Sequence, residues 1–149
     1  MIDDPARFFS DDDAARVHSD DAGHLADLFS ELALALDDFR LDEKIRASTP
    51  RDLLVALKFL AQKLDDQANL LRTDEVLALW PSLESDLRTI RAAAADAKVQ
   101  FGLLNHAPAA IAIATAALSA GMSITAEAAN TAAVTLAAGA FARAAAIVN

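Results

Sequence analysis

The last 43 residues, Ala107 to Asn149, contain 20 alanines and only two charged side chains, Glu127 and Arg143. The first 106 residues hold the other 21 acids and 12 bases, and so the entire formal net charge of −9. A helix lying in water carries charged groups on its wet face and apolar groups on the other. This tail has almost no charge to offer to water, so most of its surface requires cover. The cover has four sources: the rest of the chain, a second copy, a partner protein or lipid.

Composition narrows the rest. A chain of 149 residues can bury about 70% of the surface that it exposes when unfolded, so a core forms without a covalent staple. It contains no cysteine, which excludes disulfides, thiolate metal sites, iron–sulfur clusters and thiol catalysis within it. Four glycines, four prolines and no tyrosine argue against an all-β fold. The pI near 4.6 argues against a nucleic-acid partner, because phosphate contacts need clustered Lys and Arg. The stretch MIDDPARFFSDDD is acidic where a secretion signal is basic and then apolar, which predicts a cytoplasmic protein.

Helix start signals punctuate the acidic part. Ser10 precedes Asp11, Asp12 and Asp13, and Ser19 precedes Asp20 and Asp21; hydroxyl caps followed by acids suit the positive end of a helix dipole. Thr49-Pro50-Arg51-Asp52 offers a cap, a proline at the first helical position and an early acid. Thr73-Asp74-Glu75 is a fourth start.

Between these starts, apolar residues recur at helical spacing. One stripe is Leu25, Leu28, Phe29, Leu32, Leu36 and Phe39; a second is Leu53, Leu57, Leu60, Leu64, Ala68 and Leu71. A third runs Val76, Trp80, Leu83, Leu87, Ile90, Ala94, Ala97 and Phe101. Pro81 is expected to kink or restart that helix, and Gly102 to cap its end in a left-handed conformation.

In the tail, Ile111, Leu118 and Met122 form one sparse stripe and Val134, Phe141 and Val148 another. Gly121, with Ser123, Thr125 and Glu127 after it, reads as a stop and a fresh cap. These signals predict a close-packed helical hairpin, since small residues let helix backbones approach.

Ala107 to Ala126 is a charge-free run of 20 residues, about the length needed to span a bilayer. Three features oppose constitutive spanning. Alanine contributes little to insertion, no aromatic or basic girdle marks the edges, and a break at Gly121 would leave a helix of only ~18 Å. Amphipathic helices followed by a nearly uncharged hairpin resemble, in layout alone, pore-forming toxins such as the colicins. The alanine content is similar to that of granule-coating phasins in composition only. No motif is shared with either, and neither family is assigned.

No residue set declares catalysis, and no metal or cofactor is expected. His18, Asp21 and His24 are spaced by threes, but on one helix the two histidines turn away from each other; Gly23 and the cap at Ser19 place a helix boundary there instead. Acid pairs such as Asp37-Asp38, Asp42-Glu43 and Asp65-Asp66 diverge by about 100° and read as wet helix faces or first turns. No HExxH, Gly-rich phosphate loop or GxSxG elbow is present. His106 is the only histidine near the apolar half, and nothing ties it to a serine.

The chain is therefore expected to form one all-α domain, a helical bundle of about four to six helices. It comprises an acidic N-terminal segment over 1–20 with a short helix, amphipathic helices over 21–102, and an Ala-rich C-terminal hairpin over 107–149. The expected function is non-enzymatic: self-association, or binding of a partner protein, through the hairpin. A membrane-active hairpin released at a lipid surface is the alternative. The candidate surface is Thr115, Ser119, Ser123, Glu127, Thr131, Thr135 and Arg143, with Trp80 a candidate partner anchor.

Overall fold

A computed structural model describes the backbone of residues 11–72, 74–125 and 130–146, and the side chains of 23–72, 83–125 and 130–146. Six helices and no strand occur among the described residues: α1 (Asp11–Leu41), α2 (Glu43–Ser48), α3 (Arg51–Leu70), α4 (Asp74–Leu103), α5 (Ala107–Thr125) and α6 (Thr131–Ala145). The fold is an all-α bundle. Five long helices close a ring: α1 lies between α3 and α4, α3 packs on α5, α4 packs on α6, and α5 meets α6. The short α2 sits against α1.

The stripe of α1 is buried as the spacing requires, from Leu25 to Phe39. On α3, Leu57, Leu64, Ala68 and Leu71 are buried, and Leu53 and Leu60 pack half-buried against the core. From Leu83 to Phe101, every described member of the α4 stripe is buried. Polar ties bind the ring from outside. Arg72 Nη2 reaches Asp27 Oδ1 at 2.7 Å, and Lys98 Nζ reaches Glu31 Oε1 at 3.2 Å. Thr135 Oγ1 donates to Asp86 Oδ2 at 2.7 Å, and Gln100 Nε2 to the Ala146 carbonyl at 2.8 Å. The last two ties advance together along both chains, so α4 and α6 run parallel. Exposed ion pairs contribute about 0–1 kcal/mol each, so apolar burial carries the fold.

Several local expectations are corrected. α1 continues through Ser19 and Gly23, so neither marks a boundary. Pro81 does not restart α4, because one missing donor does not end a helix bonded on both sides. Gly102 lies inside the last turn of α4, and no described glycine has positive φ, so it is no left-handed cap. Thr49 ends α2 in an extended conformation, as a residue before proline prefers. Pro50 is itself the N-terminal boundary of α3, its carbonyl accepting from the Leu53 and Leu54 amides. Of the two readings of the Asp42-Glu43 pair, the helix start holds: Asp42 caps α2 by accepting from the Lys44 and Ile45 amides, and Glu43 opens its first turn. The fresh cap of the tail is Asn130, whose Oδ1 accepts from the Ala133 amide at 2.8 Å. Ser10 and Thr73 lie outside the described residues, although helices begin immediately after both.

The largest correction concerns Gly121. α5 passes through it without a break, for 19 residues or about 28 Å. A Cβ at this position would lie 2.6 Å from Gln67 Cγ and 3.0 Å from Phe29 Cε2. The glycine is there for close approach, letting α1 and α3 seat on α5. Phe29 is fully buried beside it and meets Phe141 of α6 edge-on, with centroids 6.5 Å apart.

Gly121→Ala is expected to lower unfolding free energy by about 1 kcal/mol, because overpacking of 1–3 kcal/mol outweighs a helix-propensity gain of about 1. Gly23→Ala meets open space within α1 and is expected to raise it by about 0.5–1 kcal/mol. Urea unfolding of the two variants checks the opposite signs.

Candidate functional site: the outer face of α5 and the α3–α5 groove

On α5 the buried positions are Ala107, Ala110, Ile113, Ala114, Ala117, Ala120, Gly121 and Ile124. The contact is made chiefly by small residues, since only they allow the neighbouring helices to come close. The expected stripe of large residues is displaced to the flank: Ile111 and Leu118 are half-buried, and Met122 is 59% exposed. Opposite the buried side, Pro108, Ala112, Thr115, Ser119 and Met122 follow helical steps of three and four, and all are exposed. This outer stripe carries no charge along the whole helix. Only 44% of the apolar stretch is buried, so α5 is a flank of the bundle rather than a sheathed centre.

Beside this stripe lies a groove of about 530 Å³ between α3 and α5. Phe59, Lys63, Asp66 and Leu70 form its α3 wall, with Leu118 and Met122 on α5 opposite. Phe59 and Leu70 are 56% and 50% exposed and stand beside the exposed Met122 on this groove. Lys63 Nζ rests 5.2 Å from the Phe59 ring centroid, a cation–π contact on the rim. Gln67, buried to 4% exposure, contributes to the lining and donates through Nε2 to Thr125 Oγ1 at 2.8 Å. Thr125 Oγ1 donates in turn to the Gly121 carbonyl at 3.2 Å.

The candidate residues named from the sequence do not form one surface. Thr115 and Ser119 stand together on the outer stripe. Ser123 is half-buried and donates to the Ala120 carbonyl at 2.6 Å. Thr135 faces α4, through its bond to Asp86. Thr131 and Arg143 are exposed at opposite ends of α6. Glu127 and the side chain of Trp80 lie outside the described residues. The groove residues Phe59, Lys63, Asp66 and Leu70 were missed, although a signal existed. Val55, Phe59 and Leu70 are large apolar residues at α3 positions that the buried stripe does not use.

Chemically the face can bind but shows no reacting set. Among the described residues no three His, Asp or Glu side chains converge as metal ligands, and both His24 and His106 are exposed. Compared with known proteins, the chain matches no family model, no curated protein and no solved structure. The fold therefore defines the class, an all-α helical bundle.

Thr125→Val is expected to cost about 1–3 kcal/mol, because the buried Gln67 amide loses its acceptor while the volume is unchanged. Replacing both partners, Gln67→Leu with Thr125→Val, is expected to cost less than the sum of the two single changes. A double-mutant cycle by denaturant unfolding reads that difference.

Proposed function

We infer that this is a non-enzymatic bundle protein that works by protein–protein association, and that the outer face of α5 is the surface it uses. The observation that carries this reading is the uncharged stripe Ala112, Thr115, Ser119 and Met122, exposed on a chain whose formal charge is −9. A solvated helix face in so acidic a protein ordinarily carries charge. Small residues on a helix surface suit close helix–helix packing, and a second copy is the commonest partner for such a face. A charge placed in the middle of the stripe tests it. Ser119→Lys is expected to abolish association while leaving the unfolding midpoint of the dilute monomer unchanged, since Ser119 is exposed. Sedimentation equilibrium checks both proteins, and a native chain that stays monomeric up to about 100 µM would sink the self-association reading.

One observation favours the membrane alternative. The unbroken α5 has a mean hydropathy of 1.6, long and apolar enough to cross a bilayer. Against it, a hairpin kept for insertion is sheathed before release, whereas a stripe along the whole of α5 is exposed here. Dye leakage from neutral and anionic phospholipid vesicles, at neutral and mildly acid pH, separates the readings. Association predicts no leakage and no flotation of the full chain with vesicles; leakage that disappears in Ser119→Lys would favour insertion.

A further inference from the structure

We propose that the occupant of the α3–α5 groove is a second copy of this chain, docked antiparallel about a two-fold axis that passes between Lys63 and Asp66. The inference rests on the association reading above and specifies its partner and geometry.

The order of residues along α3 carries it. Phe59, Lys63, Asp66 and Leu70 follow steps of four, three and four on one helix face, and all four line the groove. Read along the helix they run apolar, positive, negative, apolar. A two-fold contact is isologous, so each residue meets its counterpart in reverse order. With the axis between the two charges, Lys63 of each copy faces Asp66 of the other. The same register brings Phe59 opposite Leu70 of the other copy, twice. No second sequence has to be invoked, because the stripe is complementary to itself.

Charge elsewhere selects this face. Two copies at −9 each repel, and a contact between identical acidic surfaces brings like charges together. Among the described residues, Lys63 and Asp66 are the only ionisable ones lining the groove, and they cancel. The outer stripe of α5, continuous with the groove through Met122, adds no charge. A face two helices wide and about 28 Å long provides on the order of 600 Å² per copy, at the lower end of specific interfaces. An interface of this size belongs with the weak, reversible ones.

Sedimentation equilibrium of the full chain, with Lys63→Glu and Asp66→Lys measured singly and mixed, tests the arrangement. Each single variant sets like charges face to face at two places and is expected to weaken the dimer about tenfold or more. The mixture is expected to form a heterodimer of wild-type strength, because the pairs become Lys–Asp and Lys–Glu. That recovery also shows that both variants are folded. Asp66→Lys lowers the net negative charge, so general repulsion alone predicts tighter association, and tightening would overturn the proposal. Unchanged dissociation constants, or mixing without recovery, would overturn it too. If the native chain associates and Ser119→Lys dissociates it while the α3 variants do not, association through α5 stands and the two-fold arrangement falls. A monomeric native chain removes both.

Discussion

The bundle depends on the seating of Phe29 against residue 121. Its ring belongs to α1, yet it reaches the flank of α5 and the edge of Phe141 on α6, so one side chain links three helices of the ring. This is possible because residue 121 has no Cβ. With any larger residue the ring and the Gln67 stem would have to withdraw, and α5 would be pushed outward from both α1 and α3. The alanines on the buried side of α5 extend the same logic along the helix. Close approach replaces bulk, and the apolar area buried per residue is modest, so fit matters more than size.

That constraint explains what was legible in the sequence. The stripes of α1, α3 and α4 are built from Leu, Ile and Phe, whose burial is large enough to fix which side of a helix faces inward. Their periods therefore read directly as structure. In α5 the preference is weak, since an alanine gains little from burial and tolerates exposure. The few large residues then mislead, because Ile111, Leu118 and Met122 mark the flank of the contact and not its centre. Gly121 misled for a related reason. In isolation a glycine beside Ser and Thr reads as a helix end, and only the neighbours on α1 and α3 show that it answers a packing demand. Pro81 misleads in the opposite direction, since it is absorbed within α4, whereas Pro50 marks the start of α3 within one residue of its expected place.

The candidate face was legible only in part. An unusually uncharged tail announces a surface in need of cover, and the exposed side of α5 is where that need persists after folding. The sequence could not divide the small polar residues among buried, bridging and exposed roles. Ser123 and Thr125 return their hydroxyls to carbonyls of their own helix, and Thr135 reaches across to Asp86. Each thereby satisfies itself within the molecule. Thr115 and Ser119 remain exposed together on α5, while Thr131 and Arg143 are exposed at opposite ends of α6.

The wall contributed by α3 changes the physical character of this face. A stripe of alanine, serine and threonine is permissive: it allows a helix to approach but does little to fix where it stops, because sliding by one turn changes few contacts. Phe59, Lys63, Asp66 and Leu70 remove that degeneracy. A shift by one turn separates each charge from its counterpart and breaks the apolar matches at both ends in the same movement. The pairing energy of two partly hydrated ion pairs is small, yet the difference between the aligned register and its neighbours includes leaving them unmatched. In the proposed two-fold arrangement, affinity would come from the neutral α5 surface and register from α3. On the association reading, the segregation of charge along the chain would have a use: acidic faces of two copies repel, and the neutral surface of α5 beside the groove does not.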